Sequence, residues 1–115
     1  MVNYRHAHGT TLKKTLAHYN ILFLKTAEIE LHEAYEWYEK RKTRLGHRFI
    51  AEISGCLDSI ADNPYKFATR YGQKLRFMPL PVFPFIIAYR IGEDKRLIHV
   101  ASIFHTSRNP KKFFT

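Results

Sequence analysis

The fold of this chain is decided by residues 26–64, which read TAEIELHEAYEWYEKRKTRLGHRFIAEISGCLDSIADNP. Apolar residues recur here at spacings of three and four: Ala27, Leu31, Ala34, Tyr35 and Tyr38, then Phe49, Ile53, Leu57 and Ile60. This spacing predicts two amphipathic helices, over residues 26–42 and 46–62. Thr26 is expected to cap the first helix, and Asn63-Pro64 to end the second. The short charged link between them predicts a helical hairpin.

On either side of the hairpin, the apolar residues occur in short runs of strand length. One run, residues 19–25, precedes the hairpin, and three follow it, at residues 74–78, 82–91 and 96–104. The three later runs predict an antiparallel meander. The prolines before and within the run at 82–91 cannot donate ladder hydrogen bonds, so that run must start at an edge, a bulge or a turn. The predicted fold is α+β, a helical hairpin packed on a small antiparallel sheet, in the order β-α-α-β-β-β.

The composition fits one folded domain. The chain has 115 residues, of which 45% are apolar and 15% aromatic, and this excludes a disordered chain. Its longest apolar stretch, Phe83 to Tyr89, is interrupted by Pro84 and is far too short to span a membrane. The single cysteine, Cys56, excludes an internal disulfide and is expected to be buried in the second helix.

Residues 1–18 are predicted to be an N-terminal extension, and residues 19–115 the single domain. The extension lacks the apolar core of a secretory signal, so a cytoplasmic protein is expected. His6 and His8 have no cysteine or carboxylate at ligand spacing, so neither a metal site nor a cofactor is expected. The sequence leaves open whether this extension is disordered, a partly ordered arm or an upstream start.

The charge of the chain points to a polyanionic partner. Nineteen Lys and Arg residues stand against ten Asp and Glu residues, a net charge of +9. Five glutamates gather in the first predicted helix, whereas many of the cations lie in the C-terminal half. Such an excess attracts anionic partners, although a basic surface that only aids solubility is the alternative.

Several motifs together resemble a known family. They are AEIELHEA at 27–34, WY at 37–38, LGHRF at 45–49, NP at 63–64, FPFIIAYR at 83–90 and HTSRNP at 105–110. In this order they resemble the RelE/ParE superfamily of bacterial type II toxins, nearest the ParE-like branch, over residues 19 to 113. The resemblance implies a small α+β toxin that a cognate antitoxin neutralises by laying a helix or strand over it.

The RelE-like members of this superfamily cut messenger RNA on the ribosome without a metal ion. That chemistry needs a base, an acid and cations on the phosphate. By resemblance, the candidates in this chain are Arg76, Arg90, His105 and Arg108. Strand alternation places each of the first two opposite its apolar neighbours, so their guanidinium groups are expected to share the open face of the sheet.

Each of these candidates also has a structural alternative. Arg76 and Arg90 are also consistent with solvated strand arginines, and His105 with a group that satisfies a backbone carbonyl at a strand end. Tyr89, on an apolar face, is expected in the core rather than as an acid. Arg108 is consistent with an ion pair to an acidic residue of the first helix, such as Glu33.

The ParE-like members are instead described as poisons of DNA gyrase that act by protein contact. This chain has PKKFF at residues 110–114, where a catalytic tyrosine would be expected in an RNA-cutting member. The main prediction is therefore a gyrase-binding toxin. Its candidate contacts to a target or nucleic acid are Lys74, Arg108, Lys111 and Lys112. The alternatives are the ribosome-dependent endoribonuclease and a non-toxic basic interaction protein.

The antitoxin is expected to be acidic where it meets Arg76, Arg90 and Arg108, and apolar where it covers exposed aromatic residues such as Phe83. No membrane partner is expected. The sequence leaves open whether the toxin forms a homo-oligomer or only a hetero-oligomer with its antitoxin.

Overall fold

The computed structural model of the chain describes residues 19–70, 74–92 and 96–108. Its two α-helices are α1, Lys25–Arg41, and α2, Leu45–Asp62, and a 3-10 helix, Pro64–Lys66, follows α2. The two α-helices match the predicted segments within one residue at each end, so the helical hairpin is confirmed. The N-terminal extension, Lys111 and Lys112 lie outside the described residues.

One sheet packs against the hairpin. Its strands are β1 (Asn20–Phe23), β2 (Thr69–Arg70), β3 (Leu75–Pro79), β4 (Phe85–Gly92) and β5 (Leu97–His105). They are ordered β1-β5-β4-β3-β2 across the sheet. The predicted α+β architecture is therefore confirmed. The two-residue strand β2 was not predicted, because two residues are too few to show a period.

The sheet is mixed rather than antiparallel, because β1 pairs in parallel with β5. The hairpin returns the chain to the end of the sheet from which β1 started: the Tyr19 N–H donates to the Ala61 oxygen at 3.1 Å. The strand β3 also starts at this end, after the chain has passed through the short strand β2, which is antiparallel to β3. Since β3, β4 and β5 alternate in direction, β5 runs the same way as β3 and β1. The expected antiparallel pairing of the first strand is wrong for this topological reason.

The start of α1 is decided by strand pairing and not by a side-chain cap. Its N-cap residue is Leu24, which makes no side-chain cap. The Leu24 N–H donates to the Val100 oxygen at 3.0 Å, and the Leu24 oxygen accepts from Glu28. The predicted cap at Thr26 is wrong. Leu24 still pairs with β5 through its N–H, and the helix begins directly after it, so the N-cap lies two residues before Thr26.

The core lies between the hairpin and one face of the sheet. Leu31 in α1 and Ile53 in α2 are 4% and 2% exposed, as their helical spacing predicted. Tyr89 in β4 is fully buried, and its hydroxyl donates to the Pro64 oxygen at 2.6 Å. Burial raises the pKa of Tyr89 to about 12. Its expected place in the core is confirmed.

Cys56 is buried in α2, as predicted. Burial, and secondarily the charge of Glu52, raise the pKa of its thiol to about 11. Among the described residues, no helix is long and apolar enough to cross a membrane.

The proline-rich link between β3 and β4 is a turn, one of the three alternatives that the prolines predicted. Leu80 and Phe85 close it with a backbone hydrogen bond of 2.9 Å. Glu52 of α2 accepts from the N–H groups of Val82 and Phe83 at 2.8 and 3.0 Å. These bonds hold Phe83 against the core at 8% exposure. The expectation that Phe83 is an exposed aromatic is therefore wrong.

The two helices approach very closely at the turn between them. A Cβ atom added to Gly46 would lie 2.6 Å from the Tyr35 oxygen, so only glycine fits. The Glu39 carboxylate accepts from the N–H groups of Arg44 and Gly46 at 2.8 and 2.9 Å. Arg44 has a φ of 74°, in the left-handed region. The turn is thus fixed by the close contact at Gly46 and by the two hydrogen bonds that the Glu39 carboxylate accepts.

Candidate functional site

A groove of about 690 Å³ lies between α1 and the C-terminal half of β5. The residues that line it are Glu30, Glu33, Ala34, Trp37, Tyr38, Pro84, Phe85, Ile103, Phe104, His105, Ser107 and Arg108. The groove exists because β1 pairs only with residues 97–100 of β5. The rest of β5 has no strand on that side within the described part of the chain, so α1 faces its free edge.

Glu30 takes the place of the absent neighbouring strand. One of its carboxylate oxygens accepts from the Ile103 N–H at 2.8 Å and from the Ser102 hydroxyl at 2.7 Å. The other oxygen accepts from Arg108 at 2.8 Å. Its side chain is only 13% exposed. Glu30 therefore satisfies an edge N–H that would otherwise lack a partner, and it ties the segment after β5 to α1.

Arg108 takes part in this contact through its ion pair with Glu30. The pairing with an acidic residue of the first helix was predicted, but the partner is Glu30 and not Glu33. The two glutamates differ by about one turn of α1 and both line the groove, but it is the Glu30 carboxylate that reaches the free edge of β5. Arg108 still lines the groove and is 43% exposed.

Aromatic side chains form the wall of the groove opposite this ion pair. The Tyr38 ring contacts those of Phe83, Phe49 and Phe85 at centroid distances of 4.9, 5.4 and 6.2 Å. Burial raises the pKa of Tyr38. Trp37 lies beside it, 51% exposed, a large apolar surface open to solvent. Trp37 lies outside the apolar stripe of α1, and a large apolar ring on the outer side of an amphipathic helix is the sequence signal for this part of the groove.

His105 lies at the mouth of the groove, where β5 ends. Its Nδ1 accepts from the Ser107 N–H at 3.1 Å and lies 2.9 Å from the Ser107 hydroxyl. The ring meets Phe85 edge-on at 5.3 Å. Because Nδ1 accepts a backbone hydrogen bond, the proton of the neutral ring belongs on Nε2. The structural alternative for His105 was a ring that satisfies a backbone carbonyl; at this strand end the ring instead accepts from a backbone N–H.

Arg76 and Arg90 do not share a face of the sheet. Arg76 is the cross-strand partner of Tyr89, so it points to the side that the helices cover. Its guanidinium donates to the Phe67 oxygen at 2.6 Å. Arg90 follows Tyr89 and points to the opposite side, in register with His99.

The expected convergence of these two arginines is therefore wrong. Alternation within each strand was assigned correctly, but the face of β3 that the helices cover is that of Arg76 and Met78, not that of Leu75 and Phe77. Only the register between strands decides this.

On the open face, burial and the nearby charge of Arg90 lower the pKa of His99. Lys74 is exposed at the start of β3 and lies on neither wall of the groove. Of the candidate residues within the described part of the chain, only His105 and Arg108 meet in the groove. A surface with one open tryptophan, an aromatic wall and an ion pair is suited to binding a protein segment.

Comparisons with known proteins agree with the fold. Residues 21–110 match the family described as "ParE toxin of type II toxin-antitoxin system, parDE". The structure is similar to the chromosomal ParDE toxin-antitoxin system from P. aeruginosa, with a TM-score of 0.66 and 15% identity, over 77% of this chain and 97% of that one.

It is also similar to the RelBE2 toxin-antitoxin complex from Mycobacterium tuberculosis, with a TM-score of 0.53 and 16% identity. That alignment covers 80% of this chain and 95% of the other. At these identities the likeness shows the fold alone. A search of curated proteins gave no match.

Proposed function

The chain belongs to the ParE toxin family of type II toxin-antitoxin systems, and from that premise we propose that it arrests growth by binding DNA gyrase and is neutralised by a cognate antitoxin. The observation that carries the proposal is the family match, which extends over residues 21–110. A shared fold alone would not carry it, since one scaffold hosts several activities.

The placement of the candidate catalytic residues supports contact rather than RNA cleavage. The Arg76 guanidinium donates to the Phe67 oxygen, and Arg90 lies on the other face of the sheet. Arg108 is paired with Glu30. A phosphate in the groove would therefore meet few free cations, whereas cleavage needs several of them to stabilise its developing charge.

The groove supports the antitoxin part of the proposal. Trp37 and the Tyr38 wall offer an aromatic anchor site, and the exposed side of Arg108 offers a cation at its rim. We expect an antitoxin segment that is apolar along the wall and acidic near Arg108. The similar structures from P. aeruginosa and Mycobacterium tuberculosis are toxin-antitoxin systems, which supports a partner of this kind.

The proposal is tested by two assays on one preparation of the protein. DNA supercoiling by purified gyrase is measured with increasing toxin, and cleavage of message on translating ribosomes is measured in parallel. We expect inhibition of supercoiling without message cleavage. Message cleavage alone would establish the endoribonuclease instead, and no effect in either assay would favour the non-toxic interaction protein.

A substitution at His105 separates the same mechanisms. In His105→Ala we expect gyrase inhibition and toxicity close to those of the parent, because contact does not need a proton-transfer group. The matched control is His32→Ala, another exposed histidine. A loss of about 10²-fold in message cleavage with His105→Ala, and none with the control, would assign His105 to catalysis.

Deletion of residues 109–115 tests the docking role proposed for the basic tail. It removes Lys111, Lys112 and two phenylalanines. We expect weaker gyrase inhibition by the folded protein, measured as a higher toxin concentration for half-inhibition. Unchanged inhibition would remove the tail from the target contact.

A further inference from the structure

The turn of the helical hairpin carries a dense group of cations that do not line the groove. We call residues 40–48 the hairpin tip. Five cations lie in it, and all are exposed: Lys40, Arg41, Lys42, Arg44 and Arg48. The same nine residues contain no aspartate or glutamate. The tip is therefore strongly positive, at the far end of α1 from Glu30.

Most of these cations have no side-chain partner among the residues that the structure describes. Arg41 lies 3.6 Å over the Trp37 ring and donates to the Trp37 oxygen at 3.5 Å. Among the described residues, the side chains of the other four make no hydrogen bond or ion pair. Their charge is available to a ligand.

The placement of Arg44 and Arg48 works against local stability. They stand at the N-cap and in the first turn of α2, where the helix dipole is positive and the first turn holds no acidic residue. A cation there is unfavourable. Arg44 also occupies the left-handed region at φ 74°, which glycine or asparagine adopts with less strain. Local choices that oppose stability are typical of functional positions.

The tip is also rigid, which lowers the entropy lost on binding. Glu39 holds the turn by accepting from the N–H groups of Arg44 and Gly46. Because these helix N–H groups are already satisfied, an anion would be bound by the side chains and not by the backbone.

We propose that the hairpin tip binds the phosphate backbone of duplex DNA without sequence preference. Four exposed cations without a side-chain partner in the described part of the chain match the regular charge of a duplex surface. Single strands are bound mainly through stacking of bases on aromatic rings, and the tip has few: residues 40–48 contain no Phe, Tyr or Trp, and Arg41 covers one face of Trp37. The imidazole of His47 meets the Tyr35 ring edge-on and lies 3.4 Å from the Glu39 carboxylate. The choice of DNA over duplex RNA rests on the proposed function, since gyrase holds DNA.

The experiment measures binding of the purified chain to a short fluorescent DNA duplex of mixed sequence by anisotropy, over a range of salt concentrations. The tip variant Lys42→Gln/Arg48→Gln is compared with Lys25→Gln/Lys66→Gln, which removes the same charge from exposed positions elsewhere. We expect the slope of log K against log salt to become shallower by about two in the tip variant, about one per lost phosphate contact. The control should keep the slope of the parent.

Arg44→Gly gives a second readout that a merely structural role would not produce. We expect this variant to bind the duplex more weakly, while its melting temperature does not fall, because glycine relieves the left-handed backbone. Weaker binding that follows only from a lower melting temperature would contradict the proposal.

Three further outcomes would overturn it. Equal losses in the tip and control variants would show that binding follows net charge alone. Tighter binding to single-stranded RNA than to the duplex would show that the ligand is wrong. Unchanged DNA binding together with lost gyrase inhibition would make the tip a contact to acidic protein. Failure of the proposed function is seen separately, as uninhibited supercoiling by a protein that still binds DNA through its tip.

Discussion

The two ends of α1 differ in how the nearby arginines are paired. At the groove, Arg108 is matched by Glu30, whose carboxylate also serves β5. At the hairpin tip, Arg44 and Arg48 have no side-chain partner among the described residues. Arginines of the same chain are thus structural at one end and free at the other.

This difference shows that net charge does not measure the charge that a partner meets. Arg76 and Arg108 both have partners inside the protein. Arg76 donates to the Phe67 oxygen, and Arg108 donates to the Glu30 carboxylate. A desolvated carboxylate needs several donors to be stable, and the fold brings those donors to Glu30. A cation on an exposed turn needs none, because water solvates it. The tip therefore retains its charge for binding, although Arg44 and Arg48 stand at the positive end of the α2 dipole.

The largest effect on stability is expected at Gly46, because the close approach of the two helices at the hairpin tip depends on this glycine. Gly46→Ala would place a Cβ atom 2.6 Å from the Tyr35 oxygen, so we expect a loss of about 3 kcal/mol of stability by chemical denaturation. Gly55→Ala, in the same helix with no atom within 4 Å, should gain about 0.5 to 1 kcal/mol. Losses of similar size in both variants would mean that helix propensity, and not close packing, governs Gly46.

A smaller effect is expected at Glu30. Glu30→Ala leaves the Ile103 N–H and the Ser102 hydroxyl without their acceptor, so we expect a loss of about 2 kcal/mol. The matched control is Glu33→Ala, one turn away on the exposed side of α1, and it should cost less than about 0.5 kcal/mol. If Glu33→Ala proved as costly, the anchoring of β5 would not depend on the carboxylate of Glu30.

The smallest effect concerns acid and Glu39. The hydrogen bond from the Arg44 N–H, opposed in part by burial and aided by Gly46 and His47, lowers the pKa of Glu39 below its usual value of 4.5. A carboxyl with a lowered pKa in the folded state stabilises the protein above its ordinary pKa, and this stability is lost as the pH falls through the folded value. We expect the stability difference between the parent and Glu39→Gln to shrink below about pH 4.5.

Unfolding curves at several pH values measure this, with Glu36→Gln, an exposed glutamate of the same helix, as the control. A difference that stays constant down to pH 3 would show that the charge of Glu39 does not hold the turn.

The sequence by itself determined the helical hairpin, the core positions Leu31 and Ile53, and the place of Tyr89 in the core. These follow from local periodicity, since spacings of three and four fix which residues share one side of a helix. The motif order also indicated the toxin family, because motifs are local in the chain.

Only the tertiary structure decided the direction of β1, the separation of Arg76 from Arg90, and the choice of Glu30 over Glu33 as the partner of Arg108. Each of these depends on the register between elements far apart in the chain. A one-residue change of register turns a side chain to the other face of a sheet, and no local pattern carries that information. The sequence therefore supplied the charged residues, and the fold decided which of them remain free to bind.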